Sequence, residues 1–173
     1  MSPSRDTPGV IAPPPLVYLG FLLLGWGVTE LAVRPEVMAM IGADLSRWLT
    51  LGFGLETPVR RGLALVLIVG GLILDGAAAG YFHRLGTPPE PWKPTTALAV
   101  GGLYRFSRNP IYLGFAITYA GLALAMDRVF ILLLLIPCLW VVQRFVIDRE
   151  ERYLSAKFGA DYEAYRARVR PWL

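Results

Sequence analysis

Residues 101–114 read G-G-L-Y-R-F-S-R-N-P-I-Y-L-G, with Arg105 and Arg108 just ahead of a long apolar run. Pro110 has no N–H to donate and disfavours helical angles at Asn109. Proline suits the first turn of a helix, so Pro110 is expected to start the apolar helix that follows. The product is an unwound, glycine-bearing, cationic loop at the mouth of a hydrophobic helix. Such a loop can offer backbone N–H groups and positive charge to an anionic or polar ligand. The same pattern also serves as a membrane-edge loop whose arginines set topology. Locally, both readings stand.

A second stretch with chemical potential is the tail, Q-R-F-V-I-D-R-E-E-R-Y-L-S-A-K-F-G-A-D-Y-E-A-Y-R-A-R-V-R-P-W-L. If a membrane helix continues into it, Arg144, Asp148 and Glu151 fall at i, i+4 and i+7 and share one face. Leu154, Phe158, Tyr162, Tyr165 and Val169 form an apolar stripe, with a break expected at Gly159. This part should fold back on the membrane domain or lie at its surface. A solvated, salt-bridged helix end is the plain alternative.

The elements that must position these groups are apolar. A 173-residue chain with 55% hydrophobic residues and mean hydropathy +0.49 suits one membrane domain rather than an ordinary soluble one. The net charge of +4 sits at the ends of apolar runs, as membrane insertion asks, which argues against a nucleic-acid partner. One cysteine, Cys138, and one histidine, His83, exclude a disulfide and the usual zinc site, so no metal is expected.

In order, residues 1–15 carry Pro3, Pro8, Pro13, Pro14 and Pro15 and read as a flexible arm, with no sign of a cleaved signal peptide. Spans are expected over about 16–33, 61–82, 110–126 and 129–147. The fold class is therefore all-α integral membrane with about four spans. The last two form a hairpin turning at Asp127-Arg128, its second arm kinked by Pro137. Residues 34–60 read as an interfacial amphipathic piece followed by a loop. Pro88, Pro89, Pro91 and Pro94 exclude a helix between Arg84 and Arg108. Glu30 lies near the end of the first span. Asp75 falls inside the second, where a carboxylate is either a functional group facing the interior or a helix–helix hydrogen bond. Arg84, Lys93, Arg105 and Arg108 face only Glu90 in the 84–108 loop, and the tail from Arg144 is rich in arginine. By the positive-inside rule, the 84–108 loop, both termini and the 148–173 tail are cytoplasmic.

Together the two stretches carry a resemblance. P-P-x-P-x-x-P-T, then G-x-Y-R-x-S-R-N-P-x-Y-L-G, a hairpin, then E-E-x-x-L-x-x-x-F-G-x-x-Y-x-x-Y resembles the isoprenylcysteine carboxyl methyltransferase family. It is most like that family's small bacterial relatives, which also resemble phospholipid N-methyltransferases. The likeness covers roughly residues 86–172. It implies an integral membrane, S-adenosylmethionine-dependent methyltransferase, with cofactor-binding residues Gly102, Tyr104, Arg108, Asn109, Pro110, Tyr112, Glu150 and Glu151. Leu103 stands where many relatives have proline. Asn109 stands where the eukaryotic carboxyl methyltransferases have histidine, and the phospholipid enzymes share the asparagine.

Methyl transfer from a sulfonium is an in-line displacement, so positioning is the principal demand. Glu150, Glu151 and loop carbonyls suit the implied cofactor's cationic groups. Arg108 and the Gly101-Gly102 backbone suit its carboxylate. Tyr104, Tyr112 and Trp140 offer aromatic faces. An amine acceptor must be neutral, and a carboxylate such as Glu151 could take its proton. Arg144 is the candidate for orienting an acceptor, an amphiphile or small molecule whose tail enters from membrane lipid. A nicotinamide-dependent membrane reductase and a non-catalytic lipid-binding scaffold are the alternatives.

Overall fold

A bilayer core supplies no water to backbone N–H and C=O groups, so long apolar runs are driven into helices. The structure, a computed structural model, describes residues 7–173. The arm expected over residues 1–15 therefore lies partly outside the described residues. Among the described residues, three helices are long and apolar enough to cross a membrane: α1 (Pro14–Ala32), α4 (Thr57–Arg84) and the interrupted run Val129–Phe158, whose part from Asp148 onward is polar. Between α1 and α4 lie two short helices, α2 (Pro35–Ile41) and α3 (Ala43–Leu49), joined through Gly42 at φ 86°. The Pro-rich run after α4 carries no helix until a 3₁₀ turn at Gly102–Arg105.

The fourth apolar helix, α5 (Pro110–Ala125), opens on Pro110 and has 16 residues. At 1.5 Å per residue it covers about 24 Å, less than a typical ~30 Å hydrocarbon core. It is nevertheless the central element, packed on α4, α1 and the segments after residue 128. Tyr112, Ala116, Tyr119 and Ala123 of α5 join Tyr18 of α1 and Ile131, Cys138, Val142, Val146 and Ile147 in the main apolar core.

The run after Val129 is broken twice. α6 (Val129–Leu133) ends at the carbonyl that Pro137 cannot bond, and α7 (Leu135–Val142) resumes beyond Leu134. A π-helical turn (Gln143–Ile147) then leads into α8 (Asp148–Phe158), and Gly159 at φ 52° separates α8 from α9 (Ala160–Arg166). At the far end from these helices, the hairpin turn places Asp127 at φ 56°. Its carboxylate accepts the Phe53 N–H at 3.0 Å, and Arg60 donates to the terminal α5 carbonyls of Leu124 (3.3 Å) and Ala125 (2.9 Å). A cation thus meets the negative end of the helix dipole.

Buried residues of α4 recur every seventh position, Ala64, Gly71 and Ala78, a small-residue stripe against α5. At the crossing, a Cβ on Gly71 would lie 2.6 Å from the Gly114 carbonyl, and one on Gly114 would lie 2.9 Å from the Gly71 carbonyl and strike the Asp75 carboxyl. Gly114→Ala is therefore expected to destabilise by about 1–3 kcal/mol through overpacking. Gly76→Ala, in open space, serves as the control. Thermal unfolding in detergent checks the pair: equal melting temperatures would contradict this contact.

Candidate functional site

A cavity of about 100 Å³ forms where the end of α4, the Pro-rich loop, the start of α5 and the tail helices meet. Pro88, Pro89, Glu90 and Pro91 line one side; Phe82, Tyr104, Ile111 and Tyr112 line another. α8 contributes Glu150, Glu151, Tyr153 and Leu154, and α9 contributes Tyr162 and Tyr165. Pro8 adds a piece of the N-terminal segment, held by a 2.7 Å bond from Arg149 to the Gly9 carbonyl.

The tail's apolar stripe explains why α9 returns to this place. Tyr162 and Tyr165 bury with Tyr104, Ala78 and Ala99, flanked by Leu154, Phe158 and Val169. The Tyr165 hydroxyl donates to the Tyr104 carbonyl at 2.7 Å, fixing α9 to the 3₁₀ turn. Glycine at 159 supplies the left-handed angle that reverses the chain between the two helices.

Arg108 fastens the loop to the tail. Its Nε donates to Glu151 at 3.0 Å, Nη2 donates to the same carboxylate, and Nη1 donates to the carbonyls of Val169 and Arg166 (3.2 Å). Its backbone N–H reaches the Arg170 carbonyl at 2.9 Å. Ser107 Oγ (3.2 Å) and Asn109 Nδ2 (2.9 Å) both donate to the Pro171 carbonyl. With the Arg108 and Glu151 side chains only 9% and 13% exposed, this is a buried, multiply bonded ion pair.

Glu150 is different in kind. Its carboxyl accepts from the Tyr112 hydroxyl, whose own backbone carbonyl accepts from Tyr18 at 2.9 Å. It lies in α8, beyond the apolar run, and no cation among the described residues pairs with it. Burial pushes this carboxyl up to about 8; the Tyr112 bond pulls it down and the neighbouring Glu151 charge adds to the rise. A cationic group brought beside a carboxyl placed in this way favours its ionised form.

Of the residues singled out from sequence, Tyr104, Arg108, Asn109, Tyr112, Glu150 and Glu151 line the cavity. Gly101 and Gly102 instead pass against the Tyr81 ring, and Pro110 is buried at the start of α5. Arg144 and Glu151 do not share a face. The π turn inserts one extra residue, so Arg144 pairs with Asp148 at 3.1 Å on the exposed side while Glu151 turns inward. Trp140 is 62% exposed and packs edge-on against Phe145, Glu30 is exposed, and Asp75 lies in the α4–α5 contact. Glu90, Tyr153, Tyr162 and Tyr165 also line the cavity, beyond the residues that the motifs indicate. Their signal was present only as a loop carboxylate and a tyrosine stripe.

The donor set fits a ligand with cationic and hydroxyl groups: a cavity carboxyl with no paired cation among the described residues, an adjacent carboxylate, and several tyrosines. Comparison with known proteins agrees in kind. The family model described as phospholipid methyltransferase matches residues 59–161. A protein-S-isoprenylcysteine O-methyltransferase of Schizosaccharomyces pombe is 36% identical over 72 residues, 42% of this chain and 30% of that enzyme. An uncharacterized protein of Haemophilus influenzae is 52% identical over 33 residues, 19% of this chain and 52% of that protein. The matches thus span about a third to a half of these curated relatives. No solved structure matches the chain.

Two outcomes are expected. Because the folded protein holds a proton on Glu150 up to about pH 8, against an ordinary value of 4.5, its contribution to stability is present at low pH and is lost as pH rises between those values. Melting curves from pH 5 to 8 should show this decline, and Glu150→Gln should flatten it; an unchanged slope would refute the assignment. Arg108→Lys keeps the charge but loses the fork that joins Glu151 to the tail carbonyls. It should lower stability by about 1–3 kcal/mol in denaturant titration, the scale of a hydrogen-bonded charge.

Proposed function

Since this chain belongs to the phospholipid methyltransferase family, we propose that it is an integral membrane enzyme transferring a methyl group from S-adenosylmethionine to an amphiphilic acceptor. The observation that carries the cofactor reading is the Glu150 carboxyl, buried in the cavity with the Tyr112 hydroxyl as its partner. When bound, S-adenosylmethionine supplies a methyl group on a positively charged sulfur. Glu150 would face its cationic groups, with Tyr104, Tyr112 and Asn109 completing the wall. Arg108 and Glu151 hold the loop and tail in place around them.

The same arrangement suits the demands of the acceptor. In-line transfer needs the reacting groups held in one geometry, a demand that a cavity walled by a loop and two helices suits. Water exclusion by Phe82, Leu98, Ile111 and Leu154 strengthens electrostatic contacts inside. An amine acceptor would give up a proton, and Glu150, brought to its ionised form by a bound cation, can hold it. Arg144, exposed at the start of the π turn, is the cation we assign to a lipid head group. We place the cavity and both termini on the cytoplasmic side of a bacterial inner membrane, following the arginine bias of the 84–108 loop and tail.

Calorimetric titration with S-adenosylhomocysteine tests the reading. Saturable binding is expected for the wild type, with affinity about tenfold lower or worse in Glu150→Gln, the loss of roughly 1.4 kcal/mol. Methyl transfer to lipid extracts would then identify the acceptor. Absence of binding by protein shown to be folded would overturn the cofactor assignment.

A further inference from the structure

The π turn at Gln143–Ile147 determines which side chains α8 sends into the cavity. The Asp148 N–H bonds the Gln143 carbonyl five residues back, so the turn holds one residue more than an α-helix would. Both ends of the Gln143 side chain are engaged: Nε2 donates to Asp148 at 2.8 Å, and Oε1 accepts from Trp172 Nε1 at 2.9 Å. Trp172 packs against the main core, and the preceding Pro171 carbonyl takes the bonds from Ser107 and Asn109. A chain of contacts therefore runs from the cationic loop through the tail to the first residue of α8.

Relaxing this turn to ordinary helix would advance α8 by one position, a rotation of about 100°. Arg149 would then move into the place that Glu150 now holds, putting a cation where the cavity presents a carboxyl. We propose that Gln143 and Trp172 are positioning residues: the Trp172–Gln143–Asp148 hydrogen-bond chain holds the π turn and so aims Glu150 and Glu151 into the cavity. The cofactor reading above gives this its functional meaning, but the helix phase itself is independent of any ligand.

Gln143→Met, Trp172→Phe and the double variant test it with two readouts. The first is affinity for S-adenosylhomocysteine by calorimetry. Each single variant should weaken it about tenfold or more, and the double should be no worse than the weaker single within about threefold, since all break one chain. The second uses the ligand-free protein: the decline of melting temperature from pH 5 to 8 should flatten, because a rotated Glu150 leaves its buried position. Groups around that carboxyl are Tyr112 on α5 and Glu151 on α8, with Arg108, Glu90 and Tyr153 lining the same cavity. Trp172→Phe keeps a six-membered aromatic ring against the core and loses the N–H together with the rest of the pyrrole ring, so it reports even if Gln143→Met fails to fold. Wild-type affinity and wild-type pH slope in the variants, whatever their melting temperatures, would overturn the proposal. A flattened slope in protein whose wild type binds no S-adenosylhomocysteine would keep the positioning role and sink the cofactor reading instead.

Discussion

Much of this structure depends on the guanidinium of Arg108. A cation placed in a nearly dry setting must find acceptors, and four N–H···O bonds to Glu151, Val169 and Arg166 satisfy it. Satisfying it draws residues far apart in sequence into one body: a loop before α5, the face of α8, and the irregular end of the tail. The apolar stripe of α9 could press against the membrane domain in several ways, whereas the fork of Arg108 accepts few. The ion pair thus acts less as a source of stability than as a choice among packings.

On the other side of α5, the constraint is steric. Small residues let α4 and α5 approach until the backbones nearly touch at Gly71 and Gly114, and this fixes where the mouth of α5 lies relative to Phe82. Asp75 and Thr118 occur at that crossing with buried oxygens that have no hydrogen-bond partner among the described residues. They sit outside the cavity lining. The cavity is therefore framed by two different physical devices, close packing within the membrane helices and polar fastening beyond them.

Sequence showed the parts governed by long, one-sided patterns. Apolar runs mark α1, α4 and the segments after Val129, and Pro110 marks the start of α5. Pro137 announces the break at Leu134, and Gly159 the reversal between α8 and α9. What it hid was phase and backbone partners. Spacing of Arg144, Asp148 and Glu151 assumes an unbroken α-helix, and one extra residue in the π turn keeps Arg144 with Asp148 but turns Glu151 away from Arg144. Arg108 and Asn109 look like free ligands for a small molecule until the carbonyls of Val169 and Pro171 are seen to take their hydrogens. Carbonyl oxygens belong to every residue, so no sequence motif marks them.

The proline-lined wall of the cavity has a consequence for how a ligand is received. Pro88, Pro89 and Pro91 have their φ angles locked by their own rings, so this side has few conformations to lose. Ordering a mobile loop around a small molecule commonly consumes much of the favourable contact energy. Here that entropy is already given up when the chain folds, with no donor N–H on those three residues left to seek a partner. Capture then resembles entry into a standing mould, in which selectivity comes from shape and charge at the moment of contact.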